Sequence, residues 1–333
     1  MAWNTEAIPE HPAFDDLLAI RTELGTAAER GAVGAEPAEG APPYRRPFSA
    51  SALKLFAQCE RKWFFRYLCN VVEDPGSSAA TYGTAFHDAL ERFHTTHTRP
   101  GEEPRETLLL ELDRLVLEAF AHHAHAFSSP LEADLQGRRA RRTAVRYVDW
   151  LVQRGRQSPF EVVGNETHAP LELDGFPFTG FIDRLDRDDA SGSVTVIDYK
   201  TGSIATSAAA YREEVLAFHE FQLPFYYWSR TAAGDRVTRL ALIPLKDPLL
   251  EVAPIELEIV PGQPRPSGKG RRGTIGLAEL ESARARMIAI ATRMSVTTPS
   301  DFSATSDPAH CEYCAYTFAC RQRPFPDSDP FAR

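Results

Sequence analysis

The stretch GFIDRLDRDDASGSVTVIDYKTG, residues 180 to 202, constrains the fold more than any other part of the chain. Its two arms alternate apolar and polar residues as half-buried strands do: Phe181 and Leu185 flank Asp183, and Val194 and Val196 lead to Asp198 and Lys200. Between them, Asp188-Asp189-Ala190-Ser191-Gly192 has the composition of a turn. A turn centred near Ala190 puts Asp183 and Asp198 opposite each other on antiparallel strands. Opposed side chains have Cβ atoms about 4.5–5.5 Å apart, where two like charges destabilise the pairing. A divalent cation between the carboxylates removes that penalty, and Lys200, two residues on, shares the face of Asp198. Two carboxylates and a lysine around one cation suit metal-assisted hydrolysis of a phosphodiester. The plainer alternative is a surface hairpin with solvated charges. That is the expectation for Asp186, Arg187, Asp188 and Asp189, but it accounts poorly for a charged pair among the valines of VTVIDYK.

With 333 residues, 43% hydrophobic and 25% charged, the chain can build a sizeable core and has the average composition of a soluble globular protein. No apolar run approaches a membrane span, and MAWNTEAIPEHPAFDDLLAI lacks the basic and apolar blocks of a secretory signal, so the expected location is the cytoplasm. A net charge of −9 argues against coating nucleic acid by bulk electrostatics, yet leaves room for an acidic catalytic site with local contacts. Basic clusters at Arg61/Lys62/Arg66, at Arg138/Arg139/Arg141/Arg142 and at Lys269/Arg271/Arg272 are each more often a solvated face than a phosphate contact.

Residues 1 to about 43 open with a short helical pattern and run into GAVGAEPAEGAPP, a flexible linker by composition. From residue 44 a single domain is expected. Ser49 or Ser51 caps a helix carrying Leu53, Phe56, Trp63, Phe64 and Tyr67. A helical part covers about 81–157, with helices from Thr81 to His97 and, across 106–155, two more broken near Ser128-Ser129-Pro130. Strands begin near Phe160, where EVVGNETHAPLEL forms the first arm of a meander that includes the hairpin. Tyr211 to Ser229 reads as helix, RVTRLALIPL as a strand, 261–273 as a loop and Ile275 to Met294 as a long helix before a Cys-bearing tail. The order indicates an α/β or α+β domain with a helical insertion, its catalytic core at about 160–260.

Other motifs carry less by themselves. In YGTAFHDALERFH, Gly83 lies one helical turn before His87, so the backbone there is open to close approach. HHAHAF, without partnering carboxylates, reads as a helix surface, and PSGKGRRG fails the phosphate-loop spacing, which removes ATP-driven motors. Gln222 and Tyr226 share a helix face. An odd count of five cysteines argues against a disulfide framework. The spacing Cys311-x2-Cys314-x5-Cys320 is a metal signal that wants a fourth thiolate from Cys59 or Cys69, and it suits Zn²⁺ or a 4Fe–4S cluster equally.

Taken together, Gly83-x3-His87, Gly180-x2-Asp183, Asp198-x-Lys200 and Gln222-x3-Tyr226 resemble the RecB-type branch of the PD-(D/E)XK nucleases. Cys59 followed distantly by CxxCx5C resembles its iron–sulfur members, including the AddB nuclease domain and CRISPR spacer-acquisition nucleases. The resemblance covers roughly residues 48 to 323. It implies a restriction-endonuclease-like core, a central mixed sheet flanked by helices, with a helical insertion and a Cys-rich tail at 311–320 closing on Cys59. It implies that His87, Asp183 and Asp198 bind Mg²⁺ or Mn²⁺, with the Tyr199 carbonyl as a further ligand. Lys200 then orients or deprotonates the attacking water and offsets phosphate charge. Gln222 and Tyr226 support the site or the DNA backbone, and Glu166 stands behind the ligands. Cys59, Cys311, Cys314 and Cys320 hold a structural [4Fe–4S] cluster (structural Zn²⁺ being the alternative), with Cys69 left over. The implied activity is a metal-dependent deoxyribonuclease, an exonuclease of single- or double-stranded DNA in repair, recombination or defence, working alone or beside a separate helicase or adaptation proteins. The alternatives are a spacer-acquisition-type end-trimming nuclease and a non-catalytic DNA-binding scaffold. A degenerate scaffold would be expected to lose GxxD or DxK, and both are present.

Overall fold

The computed structural model describes residues 46–71, 78–245, 254–264, 270–296, 302–312 and 314–320. The expected N-terminal segment and linker, 1–43, and most of PSGKGRRG lie outside the described residues. Helix α1 (Ala50–Gln58) starts where expected, the Ser49 hydroxyl accepting the Ala52 amide at 3.2 Å. It does not run on to Tyr67. Cys59 is extended, its sulfur caps a single turn (Glu60–Trp63), and a π-helical turn (Phe64–Leu68) follows. The break arises because the tail docks there: Arg61 donates its amide to the Ser303 carbonyl at 3.0 Å and Nε to the Phe302 carbonyl at 3.1 Å.

Helices α2 (Ser78–Thr96), α3 (Arg105–His122) and α4 (Pro130–Gln157) form the helical insertion. The break before α4 falls at Ser129, which caps it, with Pro130 in the first turn where its missing N–H costs nothing. Among the described residues, eight strands follow in two sheets. Strands β1 (Phe160–His168), β4 (Phe181–Asp188), β5 (Val194–Lys200), β6 (Val237–Pro244), β7 (Ile255–Val260) and β8 (Arg272–Gly276) lie side by side in that order. Strands β2 (Leu171–Leu173) and β3 (Phe176–Phe178) make a separate hairpin, so the expected first arm ends at His168 rather than at Leu173. Pairing is antiparallel for β1–β4, β4–β5 and β6–β7, and parallel for β5–β6 and β7–β8. The parallel β5–β6 step is bridged by α5 (Ala208–Leu216) and α6 (Gln222–Ala232), two helices where the sequence suggested one. Helix α7 (Leu277–Val296) leads to the tail.

The sheet is mixed and covered on both faces, as a restriction-endonuclease-like core requires. On one face, Val194, Val196, Leu240 and Leu242 pack with Leu53 of α1, Tyr211 of α5, Phe225 of α6 and Met287 of α7. On the other, Ile197, Tyr199, Ala241 and Ile243 pack under Phe86, Leu112 and Val148 of the insertion. A strand buried on both faces need not alternate apolar with polar. Asp186, expected in solvent, is therefore only 1% exposed, while Arg187 and Asp189 remain exposed. Among the described residues, no helix is long and apolar enough to cross a membrane.

Candidate active site

Register builds the site. The β4–β5 ladder pairs Arg184 with Ile197, so the next position sets Asp183 beside Asp198. The β1–β4 ladder pairs Asn165 with Arg184 and Thr167 with Ile182, which sets Glu166 beside Asp183. Three acidic residues thus stand in a row across three strands, where directly opposed residues have Cβ atoms about 5 Å apart. The row forms where the ladders loosen: Glu166 has a left-handed φ of +41°, and Asp183 turns its Oδ2 to accept the Tyr199 amide at 2.5 Å. A non-glycine in that conformation stores strain that the surrounding fold must hold.

His87 reaches the row from α2. Its Nδ1 lies 3.6 Å from Asp183 Oδ1 and 3.9 Å from Glu166 Oε1, and its ring meets the Tyr199 ring edge-on at 5.7 Å. Gly83 permits this seat, because a Cβ there would lie 2.8 Å from the Thr201 hydroxyl. Gly180 has a similar office: its absent Cβ would meet the Phe225 ring at 2.7 Å. Among the described residues, His87, Glu166 and Asp183 are the group whose ligand atoms all lie within 4.8 Å of one another. Glu166, expected from sequence behind the ligands, stands within that distance of His87 and Asp183.

On the far side of the row, Lys200 Nζ lies 2.7 Å from Asp198 Oδ2 and donates to Gln222 Oε1 at 2.6 Å. Gln222 Nε2 donates to the Tyr226 hydroxyl at 3.0 Å, and Tyr226 donates to the Phe181 carbonyl. The four-residue spacing of Gln222 and Tyr226 thus becomes a chain of hydrogen bonds from the lysine back to β4. Burial and the neighbouring Asp198 push the Asp183 carboxyl up to about 7. Burial likewise raises Asp198, against the opposing pull of Lys200. Burial alone would lower Lys200, but the Asp198 charge outweighs it and keeps the ammonium form. His87 follows the same logic: burial lowers it, and Glu166 and Asp183 raise it further. This cluster holds more negative charge than it can keep ionised unaided, and hard carboxylate donors with one imidazole fit Mg²⁺ or Mn²⁺. Tyr199 contributes its amide to Asp183 and turns its phenol to the opposite face of the sheet.

That phenol meets a network the sequence did not announce. Arg184, wholly buried, ion-pairs with Asp186 at 2.8 Å and donates to the Tyr199 hydroxyl at 3.2 Å. Arg154 also pairs with Asp186, and Tyr147 and His94 complete the group. The available signal was the two-residue spacing of Arg184 and Asp186, which puts both on one strand face. Another departure concerns HHAHAF: His123 lies 3.6 Å from Asp88, so a partnering carboxylate exists. The basic clusters are partly consumed within the fold, as Arg141 with Asp113 and Arg138 with Asp134.

The spacing left the fourth thiol open between Cys59 and Cys69, and the electrostatics of Cys311 separate the two. Cys311 is pushed up by burial and by the nearby Cys59, Cys314 and Cys320, so four thiols share one neighbourhood. For Cys69, the only cause of its raised pKa is burial. All five are free of disulfides.

A family model described as the PD-(D/E)XK nuclease superfamily matches residues 47–321, most of the chain. Among curated proteins, none matches this sequence.

Proposed function

Because the chain belongs to the PD-(D/E)XK nuclease superfamily, we propose that it is a metal-dependent deoxyribonuclease that degrades DNA from its ends. The carboxylate row Glu166–Asp183–Asp198, closed by His87 on one side and Lys200 on the other, is the observation that carries this reading. His87, Asp183 and Asp198 would hold Mg²⁺ or Mn²⁺, with Glu166 as an additional oxygen donor and the Tyr199 carbonyl within the same strand end. Such an ion supplies a bound water of lowered pKa and polarises the phosphoryl group. The chain's own residues do the rest. Lys200, held as an ammonium, orients the attacking water and offsets phosphate charge, and cannot take up a proton at neutral pH. Gln222 fixes the lysine, and Tyr226 ties Gln222 to β4.

The four clustered cysteines, Cys59, Cys311, Cys314 and Cys320, would carry a [4Fe–4S] cluster. Among the described residues, no three of their sulfurs lie within 4.8 Å of one another. Four thiolates suit either a [4Fe–4S] cluster or Zn²⁺, and metal content decides between them. The domain would comprise residues 44–333, and its setting would be DNA repair, recombination or defence in the cytoplasm.

The test is cleavage of end-labelled single- and double-stranded DNA by anaerobically purified protein with Mg²⁺ or Mn²⁺. Lys200→Ala and Asp198→Ala should abolish it, with unchanged far-UV circular dichroism. Equal activity in wild type and both variants would overturn the assignment of these residues. Equal inertness with retained DNA binding would favour a scaffold.

A further inference from the structure

Two openings flank the carboxylate row, and they differ in charge. The opening on the His87 side is lined by Asp88, Glu91, Glu166 and His123. Burial raises the Glu91 carboxyl, and repulsion from Glu166 and Asp88 adds to it. A polyanionic strand gains nothing from that wall. On the Lys200 side lies a cavity of about 480 Å³ lined by Ser51, Lys54, Lys200, Tyr211 and Gln222.

Its two lysines are held by one short segment. Lys54 pairs with Glu220 Oε2 at 2.9 Å, and Lys200 with Gln222 Oε1 at 2.6 Å. Glu220 Oε1 accepts the amides of Phe221 and Gln222, both at 3.0 Å, so its charge is already met from two sides. Glu214 is the other acid in the lining. Tyr211, 3% exposed, brings a hydroxyl that has no partner of hydrogen-bond geometry. The amide of Leu223 faces its oxygen, and three carboxylates nearby hold the phenol protonated beyond the effect of burial. A buried donor without an acceptor is costly unless a ligand or water supplies one. Ala50 and Ser51 occupy the first turn of α1, whose amides are not used within the helix and favour an anion.

We propose that this cavity is a second phosphate subsite, resting on the nuclease reading: it takes the phosphate adjacent to the one cleaved. Lys54 supplies charge, and the hydroxyls of Tyr211 and Ser51 donate to phosphate oxygens. Lys200 stands between the two phosphates, which sets the direction in which the strand lies across the carboxylate row. The phosphate is either an internal diester or a terminal monoester; the chemistry of recognition is the same.

The experiment is binding of short single-stranded DNA to the full chain in EDTA, read by fluorescence anisotropy, so that it does not depend on turnover. One phosphate at a time is replaced by a neutral methylphosphonate, and strands with and without a terminal phosphate are compared. Wild type, Tyr211→Phe and Lys54→Met are measured, with melting curves as the folding control. For the wild type, neutralising one position should weaken binding about tenfold, the scale of a charge-assisted hydrogen bond. Both variants should bind the unmodified strand correspondingly more weakly and lose the response to that position. A response at the terminal phosphate identifies the monoester, and one at an internal position the diester. Variants that bind as wild type does, or keep its positional response, would overturn the subsite. Cleavage by wild type with Mn²⁺, run separately, decides the nuclease reading by itself.

Discussion

Asp183 concentrates the residue-scale physics of the site. Its carboxyl is raised to about 7 by burial and by Asp198, although His87 and the Tyr199 amide pull the other way. A metal ion that binds it must displace a proton below that pH, so affinity should rise with pH through about 7 and flatten above it. Below the turning point the slope should be about tenfold per pH unit for one proton. Calorimetry with Mn²⁺ in buffers of different ionisation enthalpy would read both the slope and the proton released; affinity that is flat from pH 6 to 8 would remove Asp183 from the ligand set. Glu166→Gln should weaken Mn²⁺ binding roughly tenfold, about the cost of losing one charged partner, and a variant with wild-type affinity would return Glu166 to a supporting place. The Asp183–Asp198 pairing was legible because the midpoint of a hairpin fixes its register. Glu166 was harder to place, since a left-handed residue in a strand leaves no mark in the local pattern.

Elements show where sequence reading stops. Asp186 was misjudged because period-two alternation assumes one wet face, and β4 has none. Its burial makes it dependent on Arg184, itself wholly buried. Arg184→Leu would leave Asp186 with Arg154 alone and remove the guanidinium donor to the Tyr199 and Tyr147 hydroxyls, which would keep only each other and His94. Breaking a buried pair costs about 3–5 kcal/mol, so chemical denaturation should find the variant destabilised on that scale; a loss below about 1 kcal/mol, within the range of surface pairs, would mean the network bears little weight. The α1 cap was narrowed to Ser49 or Ser51 and the start of α4 to Ser128-Ser129-Pro130 by their cap residues, and Ser49 and Ser129 fill the positions. The break at Cys59 was not, because its cause lies some 240 residues away in the tail. Strand β7, Ile-Glu-Leu-Glu-Ile-Val, carries the alternation of a strand and went unread, whereas β8 has two glycines in five residues and exists through pairing with β7.

At the scale of the molecule, packing and hydrogen bonds fasten the tail without any metal. Phe302 packs against Trp63 at 5.4 Å and Phe64 at 5.4 Å, and Tyr316 donates to the Val71 carbonyl at 2.9 Å. Anaerobic protein should show the visible absorption and iron content of a cluster, which Cys59→Ser should abolish while the Phe302 contacts keep the rest folded. Zinc in place of iron, by elemental analysis, would overturn the cluster assignment. The helices flanking a mixed sheet could be anticipated from element order and the family resemblance, but the dependence of one end of the domain on the other could not.

The carboxylate row has a temporal meaning as well. Its members come from β1, β4 and β5, and His87 comes from a helix that precedes all three in the chain. None of these segments can assemble the site alone, and Gly83 must first seat against Thr201 beyond the end of β5. An emerging polypeptide that lacks any of these segments therefore lacks the proposed centre. The same long-range pairing that slows such a fold acts as a safety catch, arming the molecule only once it is whole.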